Sequence, residues 1–335
     1  MTKLVVLTSI VLISIRLTEQ SNFLSIDHIK KINEVAKTWK AKQNFPPNTP
    51  RERIVRLLGS QSVSNVLKSP VKDNDPLYVE DSEIPSEFDA RTQWKYCSTI
   101  GLVRNQGNCG SCWAFGTTSA FADRLCVATD GSFDQLISAE QLTFCCHRCG
   151  FGCHGGNPYR AWEYFKRNGV VTGGNYNTSD GCQPYKVPPC EKDTEGHSSC
   201  EGKSVERNHK CPKDCYGNKM IVFKSDHHKI KDAYYLSNSS IQKDVIAYGP
   251  VEASFDVYDD FPSYESGVYQ KTENASYLGG HAVKLIGWGK ENEIPYWLMV
   301  NSWGEQWGDK GMFKILRGVN ECGIENSTTA GVPLV

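Results

Sequence analysis

Thirteen of the 14 cysteines in this 335-residue chain fall between Cys97 and Cys215, and Cys322 alone lies outside that window. In a reducing cytosol such a density would leave a crowd of reactive thiols. In an oxidising compartment it becomes a disulfide framework, and that is the reading we adopt. The N-terminus agrees with it. Lys3 precedes an apolar run over residues 4–15, too short to cross a bilayer comfortably but the right length for a signal-peptide core. No later run approaches the roughly 20 residues a membrane helix needs. We therefore expect a signal peptide over residues 1–18, entry into the secretory pathway and no membrane span. Asn177, Asn238, Asn274 and Asn326 each open an Asn-x-Ser/Thr triplet, a glycosylation acceptor in such a chain. With 37 basic and 38 acidic residues, the net charge of −1 gives no bulk electrostatic case for nucleic acid or an anionic membrane.

Residues 21–83 contain no cysteine. Within them Ile29, Ile32, Val35, Ala36 and Trp39 recur at helical spacing with lysines opposite. Prolines at 46, 47 and 50 then break the chain, and residues 51–59 read as a second short helix ending at Gly59. A unit this small, with one apolar stripe, cannot bury that stripe alone. It must dock on something larger, either as a minor subdomain or as a removable inhibitory segment.

The stretch Gln106-Gly107-Asn108-Cys109-Gly110-Ser111-Cys112-Trp113-Ala114-Phe115 begins as a loop and runs into a helix with Trp113, Phe115, Phe121 and Leu125 available for burial. Cys112 then sits near a helix N-terminus, where unpaired N–H groups and the dipole favour a thiolate, the attacking form of a nucleophilic cysteine. Cys109-x-x-Cys112 also reads as a redox pair or half a zinc site, and the cysteines at 145, 146, 149, 153, 211 and 215 invite a zinc reading too. Cysteine catalysis needs a base to pair with the thiolate and a third group to orient that base. Among eight histidines, His281 stands apart, because Gly279-Gly280-His281-Ala282 enters an apolar strand and the glycines allow close approach to the imidazole. Asn301 follows another apolar strand, in Asn301-Ser302-Trp303-Gly304. Helices early and strands over the last hundred residues make an α+β chain.

Cys-Gly-Ser-Cys-Trp is the recognised local signature of papain-like nucleophiles. With Gly-His281-Ala, Asn301-Ser-Trp and residues 84–94 (Ile84-Pro-Ser-Glu-Phe-Asp-Ala-Arg-Thr-Gln-Trp94), it makes the chain resemble the cathepsin B-like cysteine peptidases of the papain family from residue 84 almost to its end. Residues 39–45 and 57–60 are similar to that family's pro-region, which usually carries a cysteine near Leu58 where this chain has none. The resemblance implies a papain-like fold of two subdomains, one helical and one an antiparallel, barrel-like sheet, with the active-site cleft between them. It implies an inhibitory propeptide over 19–83 and a mature domain over 84–335. Cys112, His281 and Asn301 would be catalytic, with Gln106 and the Cys112 N–H as oxyanion-hole donors. Gly155, Gly156, Pro158, Gly280, Ala282, Trp303 and Ser327 would line the substrate cleft. The implied disulfides are Cys97–Cys126, Cys109–Cys153, Cys145–Cys211, Cys146–Cys149, Cys182–Cys215 and Cys190–Cys200, leaving Cys112 and Cys322 as thiols. That pairing removes the redox and zinc readings, and the chemistry requires no metal or organic cofactor. Expected partners are peptide and protein substrates, the chain's own propeptide and cystatin-like inhibitors. We expect a monomer, placed in a lysosome or a digestive lumen.

Two departures stand out. His281 lies 169 residues after Cys112 and Asn301 189, against roughly 130–150 for papain-like enzymes. The excess falls in the loop-rich middle, and the resemblance makes residues 182–215 an occluding loop over the primed end of the cleft. The family's adjacent histidines there bind a substrate C-terminus and support dipeptide release. This chain has Lys192-Asp193 instead, with His197 several residues late. The expectation is reduced peptidyl-dipeptidase activity and a preference for internal cleavage. Second, Ser327 stands where the family places an acidic residue in its second unprimed pocket, and Asn157 replaces an aromatic. A pocket without a carboxylate would not favour arginine two residues before the scissile bond. The competing reading is a catalytically weak homologue kept as a binding or decoy protein; Cys112, His281, Asn301 and Gln106 together argue against it.

Overall fold

Helix α4 (Cys112–Ala128) is the hub of the molecule. In the computed structural model, which describes residues 23–47, 49–61, 70–190, 200 and 202–335, every residue of α4 from Cys112 to Cys126 is buried. A helix buried all round must be packed on every side, and its two buried charges are paired, Asp123 with Lys284 and Arg124 with Asp244. On one side it meets α5 (Ala139–Cys145) and α6 (Pro158–Arg167), where Trp113, Phe121, Leu125, Trp162 and Phe165 form a helical core. On the other it meets the sheet strands β5 (Val251–Tyr258) and β7 (Tyr277–Glu291). The expected signal peptide over 1–18 lies outside the described residues.

The sheet is continued by β8 (Ile294–Val300), β9 (Met312–Leu316), β6 (Tyr264–Tyr269), β10 (Thr328–Pro333) and β4 (Ile230–Leu236). Around β5 and β7 the ladders are antiparallel, with Phe255 opposite His281 and Lys284 opposite Val300. The sheet is not antiparallel throughout, however. β6 runs parallel to β9, and the short strand β2 (Val71–Lys72) runs parallel to β4. Phe255, Phe261, Trp297, Trp307 and Phe313 fill the second core. Helical and sheet cores thus face each other across α4, the α+β two-subdomain arrangement that the resemblance implies.

The cysteine-free region docks on the sheet side. Phe23, Leu24, Ile29, Ile32, Ile54 and Leu57 join the sheet core, which answers how so small a unit buries its stripe. The stripe itself is shorter than the periodicity predicts. Helix α1 (Ile26–Val35) buries Ile29 and Ile32, leaves Val35 exposed, and ends before Trp39. The Asn33 side chain donates to the Ala41 carbonyl and accepts from its N–H, folding the chain back after the helix. Trp39 instead belongs to β1 (Trp39–Ala41), which pairs antiparallel with β6. The second predicted helix is α2 (Arg51–Leu57), capped at Leu58.

The structure contains six disulfides, in the six pairs named above, with Cys112 and Cys322 as free thiols. Apart from Cys112, the thiols considered for zinc are consumed in them. Of the acceptor asparagines, Asn177, Asn238 and Asn274 are exposed, whereas Asn326 is half-buried beside the buried Ser327 and Thr328.

Candidate active site

A strand, the end of its neighbour and one helix start bring the nominated residues together. His281 lies in β7 and Asn301 directly after β8, two neighbouring antiparallel strands, so the ladder sets their approach. His281 Nε2 and Asn301 Oδ1 are 2.8 Å apart. The same Oδ1 accepts the Ser302 backbone N–H at 2.8 Å, which fixes the amide's orientation. Because Oδ1 is an acceptor, Nε2 carries the proton and Nδ1 is left with a free lone pair. Nδ1 is buried with no hydrogen-bond partner among the described residues. Trp303 covers the imidazole at 4.7 Å between ring centroids.

Gln106 is held at three points. Its N–H donates to the Ser302 carbonyl, its carbonyl accepts from the Tyr185 hydroxyl, and its side-chain Oε1 accepts from Ser302 Oγ at 2.7 Å. Only the amide nitrogen remains to act outward. Cys112 begins α4 and is fully buried, with the N–H groups of Ala282, Gly59 and Trp113 directed at its sulfur. Cys109 serves the scaffold instead. Its bridge to Cys153, with the Gly110 N–H donating to the Cys153 carbonyl, ties the loop before α4 to the chain leading to Gly155 and Gly156.

The cleft is filled by the pro-region. The Gly59 N–H donates to Cys112 Sγ at 3.1 Å, and Gln106 Nε2 donates to the Leu57 carbonyl at 3.0 Å. Gly156 N–H donates to the Gly59 carbonyl, and Ser60 N–H to the Gly280 carbonyl, so the segment is held from both walls as an extended peptide would be. A Cβ on Gly59 would stand 1.8 Å from the Gly110 carbonyl oxygen, and one on Gly280 2.6 Å from that of Ser60. Both glycines are required by close backbone approach. Phe45 meets Trp303 edge-on.

Sealing the site changes its electrostatics. Burial pushes the Cys112 thiol up to about 11, against the lowering effect of the three N–H groups. Burial also pulls His281 down to about 4, the Asn301 hydrogen bond opposing it. A raised thiol beside a depressed imidazole is a neutral pair, the inactive form of the chemistry.

The pocket lined by Asn157, Pro158 and Ser327 corrects one expectation. It does contain an acid, Glu252 of β5, which reaches it from a strand and not from the C-terminal segment. In sequence, residues 251–257 alternate, which suggests a polar, outward face for Glu252. In the fold both faces of this strand are covered, so Glu252 is fully buried. Ser60, Gln61 and Ser254 line the same pocket, and Tyr185 holds Gln106; motif reading passes over all four. The Lys192-Asp193 pair and His197 lie outside the described residues.

Comparison with known proteins agrees with this geometry. The profile of the "Papain family cysteine protease" matches residues 84–332, and that of the "Peptidase family C1 propeptide" matches residues 24–63. The chain belongs to the papain family of cysteine peptidases. It is 41% identical over 315 residues to a "Cathepsin B-like cysteine proteinase" of Schistosoma japonicum, covering 92% of this chain and 91% of that one. It is 42% identical to "Cathepsin B-like cysteine proteinase 5" of Caenorhabditis elegans, covering 91% and 89%. Among solved structures, "proCathepsin B S9 from Trypanosoma congolense" superposes with a TM-score of 0.80 at 33% identity, covering 94% of this chain and all of that one. This papain-family member is therefore a cathepsin B-like cysteine peptidase, a hydrolase preceded by its family's propeptide.

Proposed function

We propose that residues 84–335 form a cysteine endopeptidase and that residues 19–83 are its inhibitory propeptide. The observation that carries this reading is the pro-region crossing: Leu57 and Gly59 occupy the amide of Gln106 and the sulfur of Cys112 at once. A backbone that satisfies both groups stands where a substrate carbonyl would be attacked.

With that segment gone, the His281 imidazole takes the Cys112 thiol proton through Nδ1. Asn301 holds the ring and favours the charged form. The thiolate adds to the scissile carbonyl, and the oxyanion is met by Gln106 Nε2 and the Cys112 N–H. Collapse expels the amine, which takes the proton from His281 and leaves a thioester on Cys112. Water, deprotonated by His281, then releases the acid and restores the thiol. Gly155, Gly156 and Gly280 hold the peptide backbone, Pro158, Ala282 and Ser327 border the side-chain pocket, and Trp303 keeps water from the His281–Asn301 pair.

The finer reading is that dipeptide release is weak, because Lys192-Asp193 replaces a histidine pair. Lys192 offers a point charge to a substrate carboxylate, but Asp193 beside it opposes that charge. Routing through the secretory pathway to a lysosome or digestive lumen, a monomeric state and inhibition by cystatin-like proteins complete the proposal.

The test is hydrolysis of an internally quenched peptide offered with a free and with an amidated C-terminus. We expect similar rates for the two forms, and loss of both in Cys112→Ala. A strong preference for the free carboxylate would remove the endopeptidase assignment, and activity surviving in Cys112→Ala would remove the nucleophile.

A further inference from the structure

Far from the cleft, the sheet ends in a strand that precedes the peptidase region. β2 lies outside β4 and pairs with it, Val71 opposite Tyr235 and Lys72 opposite Leu236. The Tyr235 N–H donates to the Pro70 carbonyl at 2.9 Å. The Lys72 ammonium then sits among aromatic rings. It lies 4.5 Å from the ring centroid of Tyr234 on β4 and 4.7 Å from that of Tyr248, the last residue of α7 (Ile241–Tyr248). Tyr78 of the same segment adds a third ring at 5.6 Å. Several rings around one ammonium make a cage, because each ring face attracts a cation. Asp75 pairs with Lys72 and accepts from the Tyr248 hydroxyl at 2.8 Å. The Tyr78 hydroxyl donates to Asp244 Oδ2 at 2.8 Å, Ser240 Oγ donates to the Asp73 carbonyl at 3.1 Å, and Lys243 pairs with Asp81.

Removal of residues up to 83 would take Lys72, Asp75 and Tyr78 away and leave their receptor in place. β4 would become an open edge, with backbone N–H and C=O groups ready to pair with another chain. Tyr234 and Tyr248 would keep two walls of the cage, and Asp244 would lose one of its two tyrosine donors. Arg124 is no rival for the site, because its guanidinium is bonded to Asp244 and to the Pro250 and Gly249 carbonyls. This receptor and the nucleophile lie toward opposite ends of α4. Arg124 follows Cys112 by 12 residues, or about 18 Å along a helix axis. Roughly six extended residues cover that distance, and this chain passes from Gly59 at the thiol to Lys72 in the cage in 13.

We propose that the processed enzyme carries a second peptide-binding site here, along the β4 edge and between the Tyr234 and Tyr248 rings, which takes an extended, lysine-bearing segment of a protein substrate. This rests on the peptidase reading above, with its propeptide ending at residue 83, and adds to it a partner chemistry. Residues 70–78 show how such a segment is held. Its backbone extends the sheet, its ammonium meets the rings, and an acid three residues on takes the Tyr248 hydroxyl. A short peptide cannot fill cleft and edge together, so the site acts on long substrates and through binding alone.

The probe is a fluorescent peptide of residues 70–83, added to processed enzyme that begins at Ile84 and whose Cys112 is blocked by a peptide epoxide. Anisotropy should show saturable binding, about tenfold weaker with Lys72→Met in the peptide or Tyr248→Ala in the enzyme, in keeping with a partly desolvated cation–ring contact. The peptide variant needs no refolded protein, so the charge contribution is tested even if Tyr248→Ala does not fold. With the thiol free, the unlabelled peptide should raise KM for casein several-fold at unchanged kcat, and leave a short quenched peptide unaffected. Absence of binding, equal binding by the Lys72→Met peptide, or equal inhibition of the short substrate would overturn the inference. Short-peptide turnover without binding at the edge leaves the peptidase reading standing; binding without turnover of either substrate removes that reading, and the role proposed here with it.

Discussion

At the scale of single residues, the site is organised by what each polar atom has left over after its structural bonds are made. Gln106 commits its backbone and its Oε1 to Ser302 and Tyr185, so only Nε2 is free to act, and in this form it serves the Leu57 and Cys109 carbonyls. Gln106→Ala should lower kcat about 10²–10³-fold with little change in KM, the usual cost of one oxyanion donor. Steady-state kinetics on one peptide decides it; a loss confined to KM would assign Gln106 to ground-state binding. These residues were largely legible beforehand, because a cysteine at a helix start, a histidine behind two glycines in an apolar strand and an asparagine at a strand end advertise themselves through type and position. Glu252 was not legible. Strand alternation correctly puts it opposite Val251 and Ala253, but only tertiary packing reveals that α4 and β10 cover that second face.

At the scale of elements, the pro-region works through fit. Its α2 delivers residues 57–61 into the cleft, where Gly59 passes so close to Gly110 that no side chain is tolerated. Gly59→Ala in an isolated pro-region peptide should weaken inhibition of the processed enzyme by at least about tenfold, since a clash with backbone cannot be relieved by a rotamer change. Equal inhibition constants for the two peptides would mean the crossing is not what blocks the enzyme. That this region carries one apolar stripe and must dock was readable from its pattern. Trp39 was not correctly placed by that pattern, because a single aromatic at helical spacing fits either period. What ends the helix is the Asn33 side chain bonding the Ala41 backbone, a contact over eight residues that periodicity does not encode.

At the scale of the whole molecule, a sealed cleft makes inhibition depend on pH. His281 is depressed to about 4 from an ordinary 6.5 while the pro-region is seated, so the open form binds the proton more tightly. The closed form keeps its advantage above 6.5 and loses it as pH falls through the window down to about 4, by at most about 300-fold in the equilibrium. Glu252 has the opposite sense. Its raised value in the closed form favours that form at low pH and costs it stability as pH climbs from the carboxylate range toward about 8, so the acid response belongs to His281. The most direct test of a competent thiol stoppered by its own chain is the rate at which a peptide epoxide alkylates the unprocessed protein, followed by mass at Cys112 between about pH 7 and 4. Labelling should be slow at neutral pH, accelerate as pH falls through 6.5, reach the processed enzyme's rate once residues 57–61 are removed, and vanish in Cys112→Ala. A rate that is the same before and after removal of the pro-region, or an alkylated residue other than Cys112, would contradict the account.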